Sequence, residues 1–312
     1  MRTRPLGRTG LRVSEISLGG LFFGKLADGR DTEATVRRAA ECGINLIDTA
    51  PAYTGSEEDL GQAWAGGLRR KFILTTKWWP FLGGGRGIRQ NPADLRRSVE
   101  TSLRRLRTDR IDIFLFHSLT FEGDIEAVRY GPLWKELERL KRAGTIGHVG
   151  LSNSADYDTE DERLTEATRK GFDVVMPEFN LFKQRAVRAA LPRWQRAGTG
   201  VLAIMPLGQA AWGYGLRDRT YVRDSLKALR EKKALPEKPE YEGESALDFL
   251  LDDTTPTIAA AAIRFCLSFP EVSTVCSGTN DPLHVEENAR ISDAGPYDPA
   301  RLARAIELFG GL

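Results

Sequence analysis

Cysteine is scarce in this chain: Cys42, Cys266 and Cys276 are widely spaced and form no C-x-x-C pair. A disulfide framework and a cysteine-based zinc site are therefore not expected, no metal site is assigned, and a reducing compartment fits best. Long apolar runs are missing too, and none approaches the roughly 18 residues that a membrane span needs. A surplus of one charge is also absent: 45 basic and 43 acidic residues leave a formal +2, which offers neither nucleic acid nor an anionic membrane an electrostatic handle. Basic pairs such as Arg96-Arg97 and Arg104-Arg105 read as solvated helix faces. Met1 leads into a short Arg-rich segment with no apolar core, so no signal peptide is expected and the cytoplasm is the compartment anticipated.

What is present is alternation. Arg4 to Val13 reads as a small hairpin turning at Arg8-Thr9-Gly10. Strand-like runs follow at Ser14–Leu18, Ile44–Asp48, Phe72–Lys77, Ile111–His117, Ile146–Asn153, Asp173–Met176, Val201–Met205 and Val272–Cys276. Helical patterns fall between them. Asp31 caps one that runs to about Cys42, and another spans about Ser56 to Leu68. Asn91-Pro92 opens a third, in which Leu95, Val99, Leu103 and Leu106 make one apolar stripe. Leu133, Trp134, Leu137 and Leu140 mark the next, Thr257 to Leu267 another, and Asp281-Pro282 opens the last barrel helix through Asn288. The rhythm lapses between Pro206 and about Thr255, where Lys- and Pro-rich text such as Lys232–Pro239 suggests a surface excursion or lid. Eight strand–helix repeats without a change of composition predict one domain over 1–312. Its class is α/β: a (β/α)8 TIM barrel with an N-terminal β-hairpin and a long loop after the seventh barrel strand.

In such barrels chemistry gathers at the carboxyl ends of the strands. Those ends carry Asp48, Lys77, His117, Ser152, Asn153 and Asn180, and Tyr53 follows Asp48 on the next loop. Singly, each has a bland explanation: an Asp at a strand end is usually a cap, a lone His structural, a Tyr in a proline-containing loop mere packing. Four suitable types on neighbouring tips of one face reverse that weighting. His148 and His284 lack such company. A Tyr, a Lys, an Asp and a His together suit proton donation to a carbonyl oxygen. The ammonium lowers the phenol's pKa, the carboxylate keeps the lysine charged, and the imidazole orients the carbonyl. A hydride has to come from a cofactor.

Over nearly its whole length the chain resembles the aldo-keto reductases. Leu6–Ser14 is similar to their amino-terminal hairpin, and Asp48-Thr49-Ala50-Pro51-Ala52-Tyr53 with Ser56-Glu57-Glu58-Asp59-Leu60-Gly61 to their D-T-A-x-x-Y…S-E-x-x-L-G signature. Thr76-Lys77, the Ser98–His117 run and Gly150-Leu151-Ser152-Asn153 match further family positions. The resemblance implies a tetrad of Asp48, Tyr53, Lys77 and His117 with Tyr53 as general acid. It also implies a nicotinamide cofactor across the barrel mouth without a Rossmann G-x-G-x-x-G, which this chain lacks. By the same likeness, Ser152 and Asn153 hold the carboxamide and Pro206, Leu207 and Gly208 clasp the pyrophosphate. Ser277, Gly278, Thr279, His284, Glu287 and Asn288 take the adenosine end, and Gly20, Asp48 and Met176 complete the cofactor set. Met176 stands where many members carry Gln, and Ile204-Met205 where many carry a stacking aromatic residue. Gly278 and His284 replace the Lys and Arg often set against a 2′-phosphate. Thr279 and His284 can still meet one, and NADP(H) is favoured over NAD(H).

Phe22, Phe23, Trp78, Trp79 and Trp212 are aromatic and near the expected mouth, where each either lines a substrate cleft or covers the core. Of these, Phe22, Trp78 and Trp79, with Tyr53 and His117, are the candidate substrate wall, suited to an apolar or ring-bearing carbonyl compound. The expected reaction is interconversion of an aldehyde or ketone with its alcohol. Two rivals stay open: a cofactor-binding regulatory subunit, and a barrel lyase using Lys77 as a Schiff base. The partner expected is a small molecule, with neither nucleic acid nor membrane, for a monomer or a homo-oligomer.

Overall fold

The computed structural model describes residues 1–24, 31–80, 88–119, 123–153, 160–208, 216–231 and 245–309. A short antiparallel pair comes first, β1 (Thr3–Pro5) and β2 (Arg12–Ser14), in register Arg4 opposite Val13. Gly10, at φ 76°, makes the turn between them. Eight strands then close a parallel barrel: β3 (Ile16–Gly19), β4 (Leu46–Asp48), β5 (Ile73–Trp78), β6 (Ile111–His117), β7 (Ile146–Asn153), β8 (Val174–Pro177), β9 (Gly200–Ile204) and β10 (Thr274–Gly278), with β10 paired back to β3. The predicted barrel and hairpin are both present.

Each barrel strand is apolar on two sides because two cores need filling. On β6, Phe114 and Phe116 point outward to the helices, while Ile113 and Leu115 point inward. The inner cluster also contains Leu46, Val174, Met176 and Leu202, and is floored by Leu6 and Val13 of the hairpin. Arg4 fastens that floor: its guanidinium donates to the carbonyls of Leu267, Phe269 and Val272 and pairs with buried Glu15 at 2.8 Å.

The helices wrap this barrel: α1 (Thr32–Glu41), α2 (Ser56–Ala63), α3 (Pro92–Arg105), α4 (Asp124–Tyr130), α5 (Pro132–Arg142), α6 (Glu160–Arg169), α7 (Arg185–Arg196), α8 (Arg219–Glu231), α9 (Ile258–Leu267), α10 (Pro282–Ala294) and α11 (Pro299–Phe309). Asp31 and Asn91 cap α1 and α3 through their side chains, as read from the sequence. Most barrel strands start or end one or two residues away from the runs read in the sequence, and the helical segments depart further in three places. The helix after β4 ends at Ala63 and tightens into 3-10 turns over Ala65–Lys71, which include Gly67 at φ 85°. The last barrel helix runs on to Ala294, and the segment after β9 contains α8 rather than unbroken loop. The Lys232–Pro239 excursion and Trp212 lie outside the described residues. Among those residues no helix is long and apolar enough to cross a membrane.

Gly61 shows why a glycine closes the S-E-x-x-L-G segment. A Cβ there would lie 2.0 Å from the carbonyl oxygen of Arg105, at the end of α3. Gly61→Ala is therefore expected to lower stability by about 1–3 kcal/mol, through forced separation of α2 from α3. Urea unfolding measures this, and an unchanged midpoint would refute the close approach.

Candidate active site

The side chains at the barrel mouth are set by period two along the strands. Leu46 points into the inner cluster, so Asp48 does as well; Ile113 and Leu115 do, so His117 follows. Lys77 shares the side of Ile73, which packs on the same cluster. Tyr53 comes from a loop, and that loop is tied down. Thr49 N–H donates to Thr75 O, Tyr53 N–H to Ala50 O, and Ser56 N–H to Tyr53 O at 2.7 Å. The Ser56 hydroxyl, which lies 2.8 Å from the Thr49 hydroxyl, donates to Gly20 O at 2.7 Å. The β4 loop is thus fastened to both neighbouring strand ends, and the phenol has a fixed position.

Lys77 is the hub. Its Nζ lies 2.5 Å from Asp48 Oδ2, 3.0 Å from Thr49 O and 3.2 Å from Tyr53 Oη. It is 1% exposed and Asp48 3%. Three acceptors match the three protons of an ammonium, which is what makes the burial tolerable. His117 stands edge-on to Tyr53 with ring centroids 6.1 Å apart, and Trp79 packs against its other side at 5.3 Å.

Burial and charge act in opposition here. Burial disfavours the charged form of Lys77, but Asp48 and Tyr53 outweigh it and hold the ammonium above the ordinary lysine range. Burial raises Asp48, and Lys77 opposes that rise. Tyr53 differs from the sequence expectation. Burial comes first and lifts the phenol above its usual value, with Lys77 only restraining it. The expectation weighed the neighbouring charge and left out desolvation. His117 is pushed down to about 3, first by burial and then by the Lys77 charge, so its ring is neutral at ordinary pH.

Beside these groups a cavity of about 530 Å3 opens between the tips of β3, β4, β9 and β10. Of the residues singled out from sequence, it brings together Phe22, Asp48, Tyr53, Ile204, Met205, Pro206, Leu207, Gly208, Ser277 and Gly278. Gly19, Leu21 and Cys276 complete the wall. Gly19 and Cys276 were not anticipated as lining. Their signal was the strand period: Cys276 on β10 and Gly19 on β3 lie opposite in phase to Val275 and Leu18, which pack in the outer core. Gly20 is one residue out of place: it is buried, and its carbonyl serves the Ser56 hydroxyl rather than the cavity. Trp78 is not on this wall either; at 6% exposure it packs in the outer core, 5.9 Å from Phe116. Trp79 is 52% exposed at the rim. Met176 is wholly buried in the inner cluster.

Ser152 is buried on β7 beside His117, and Asn153 ends the same strand opposite Pro177. At the other end of the cavity Ser277 Oγ accepts from Asn288 Nδ2 at 3.1 Å, and Thr279 Oγ1 lies 3.4 Å from His284 Nδ1. These last four sit at or near the N-terminal turns of α10, where exposed His284 and Glu287 face solvent. A nicotinamide dinucleotide fits the donor and acceptor set. Asp48 Oδ1 is buried and has no hydrogen-bond partner, and the cavity ends in glycines at 19 and 278 where a Cβ would meet atoms at about 3.1–3.2 Å. Among the described residues no group of three or more His, Cys, Asp or Glu could hold a metal ion.

A parallel barrel whose mouth holds this Asp–Lys–Tyr–His group defines a class, and comparison places the chain in it. The profile of the aldo/keto reductase family matches residues 15–308, and the chain belongs to that family. At family level this brings NAD(P)(H)-dependent oxidoreductase chemistry. The chain is 30% identical over 250 residues to the uncharacterised oxidoreductase YrpG of Bacillus subtilis, covering 74% of each. It is 26% identical to a probable voltage-gated potassium channel subunit beta of Oryza sativa, over 98% of this chain and 96% of that one. Among solved structures it resembles an aldo-keto reductase from Bacillus halodurans in its holo form, with a TM-score of 0.73 at 26% identity over 99% and 96% of the two chains. A putative aldo-keto reductase from Pseudomonas aeruginosa aligns with a TM-score of 0.63 at 30% identity over 94% and 95%.

The His117 shift has a measurable consequence. The unfolded imidazole takes up a proton below about 6.5, whereas the folded one resists until about 3. Stability is therefore lost as pH falls through that window, by roughly 2 kcal/mol at pH 5 relative to neutrality from this group alone. His117→Gln should remove that part of the slope in urea titrations at pH 7 and pH 5; identical slopes would mean that the ring is not held neutral.

Proposed function

We propose that this protein reduces an aldehyde or ketone to the alcohol, and runs the reverse, with Tyr53 as general acid and base. The observation that carries the reading is the single ammonium of Lys77 bridging Asp48 and Tyr53 beside a cavity open to substrate. When bound, a reduced nicotinamide supplies the hydride that no side chain can.

The residues then divide the remaining work. Tyr53, kept protonated by burial, hands its phenolic proton to the carbonyl oxygen as negative charge develops there. Lys77, 3.2 Å away, stabilises the phenolate left behind, and Asp48 keeps that lysine charged and in place. His117, neutral, can offer a ring N–H to the same carbonyl oxygen and so orient it. Asp48 Oδ1 is the free acceptor for a cofactor hydroxyl. In this reading Ser152 and Asn153 hold the carboxamide and the turn Pro206–Gly208 lies along the pyrophosphate. Ser277, Gly278, Thr279, His284, Glu287 and Asn288 receive the adenosine end. Thr279 and His284 at the start of α10 suit a 2′-phosphate, since a helix N-terminus favours anions, and NADP(H) is proposed over NAD(H). Met176 takes no part by hydrogen bonding, being sealed in the inner core. Phe22 and Trp79 at the rim favour a carbonyl compound with an apolar or aromatic body.

The full-length likeness to potassium channel beta subunits motivates one alternative, a nucleotide-binding subunit that modulates a partner. It predicts tight nucleotide binding with negligible turnover, against which the Lys77–Tyr53 geometry argues.

Titration with NADPH and with NADH, followed by quenching of tryptophan fluorescence, should show binding with NADPH the tighter. Carbonyl reduction with the preferred nucleotide should fall about 10²–10⁴-fold in Tyr53→Phe, with nucleotide affinity retained. Full turnover in that variant would remove Tyr53 as the acid. Absence of any nucleotide binding by folded protein would sink the oxidoreductase reading.

A further inference from the structure

Asn180 belongs to the polar strand-tip set and is left unused by the reaction just described. It is completely buried and is not on the cavity wall. Its side chain nonetheless makes four hydrogen bonds. Oδ1 accepts from the N–H groups of Phe182 (3.0 Å) and Lys183 (2.9 Å), while Nδ2 donates to Glu178 Oε1 (3.2 Å) and to the carbonyl of Met205 (3.1 Å). The amide can sit only one way round. Turned over, its NH2 would face two N–H donors and its oxygen would face a carboxylate and a carbonyl. Glu178, itself wholly buried, is anchored in turn by Lys183 Nζ at 3.3 Å.

The carbonyl that Asn180 grips belongs to an unusual residue. Met205 has φ 55°, in the left-handed region that a side chain of its size disfavours by about 1–2 kcal/mol. That conformation turns the chain out of β9 into Met205-Pro206-Leu207-Gly208, closed by Gly208 N–H donating to Met205 O at 2.9 Å. All four residues of this turn line the cavity, as does Ile204, whose carbonyl accepts from Phe179 N–H at 3.1 Å. The segment after β8 thus holds the tip of β9 at two successive carbonyls. The second is held by a side chain.

We infer that Asn180 is a positioning residue: locked by Glu178 and the 182–183 backbone, it clamps the Met205–Gly208 turn in its strained form and so sets how tightly the cavity holds a nucleotide. The inference rests on the reading of that cavity as the nucleotide site. Because the turn is common to both dinucleotides, the clamp should affect affinity for NADPH and NADH alike and leave their ratio unchanged. Proton donation from Tyr53 draws on other strands, so saturated turnover should move far less than affinity.

Three variants of the full chain test this. Asn180→Ala should raise the Kd of both nucleotides about tenfold, the equivalent of one buried hydrogen bond, and should hasten deuterium exchange of the Gly208 amide with no nucleotide present. Asn180→Asp keeps the two acceptor contacts but turns a carboxylate toward Glu178 and the Met205 carbonyl, so its loss should be at least as large. Adding Glu178→Gln to Asn180→Asp should restore part of the affinity by removing the like charge. Unchanged affinity and unchanged Gly208 exchange in folded Asn180→Ala would overturn the clamp. Global unfolding of all three variants would overturn it too, by showing that Asn180 serves the fold at large. If the wild type binds neither nucleotide, the oxidoreductase reading falls, while the Gly208 exchange rate still decides the clamp.

Discussion

The contact between Lys77 and Asp48 is the one on which the mouth of this barrel depends. Two charges taken out of water each cost several kcal/mol, and their attraction offsets this only with good geometry and full hydrogen bonding. Here the geometry comes from the sheet. Asp48 faces Thr75 across β4 and β5, and Lys77 lies two residues further along β5 on the same side. A one-residue slip would turn Lys77 toward the helices and leave Asp48 buried alone. Register and chemistry are thus coupled, and the pair penalises every misalignment of these two strands.

Around that pair the other ionisable groups are kept in their neutral forms. Burial holds the Tyr53 proton on and keeps a second proton off His117. This group of four therefore joins one buried ion pair to two neutral hydrogen-bonding rings. Under the proposed reaction, such an arrangement would stabilise charge developing at the carbonyl oxygen without reorganising.

Much of this was legible in the sequence because strand period and strand-tip chemistry are local. Asp48, Lys77 and His117 announce themselves at the ends of apolar runs, and Asn91-Pro92 marks the start of α3. Other features depend on contacts between distant segments. Trp78 and Trp79 are adjacent in sequence, yet one packs against Phe116 and the other stands at the rim; only strand alternation separates them. Gly19 and Gly20 invite the same confusion. The rise in the Tyr53 pKa needs the burial of the phenol, which no neighbour list in sequence reveals. Asp298-Pro299 carries the same opening signal as Asp281-Pro282, and Asp298 Oδ1 does accept from Ala300 and Arg301 N–H. It begins α11, whose Phe309 packs 5.5 Å from Phe182; that helix lies past the eighth repeat, where the barrel pattern gives no reason to look.

The floor of the barrel bears on how the chain is made. Arg2, Arg4 and Arg8 are made well before what they grip: the Arg4 carbonyl partners lie at 267–272, Arg2 N–H donates to Ser292, and Arg8 N–H to Gly198. The seam between β3 and β10 likewise joins the earliest barrel strand to the last. During synthesis the hairpin must remain undocked until residues 267–292 have been made, with Leu6 and Val13 lacking the ring they will plug. Closure then has to wait for those later segments, and a chain stalled before residue 272 would lack both its seam and its floor.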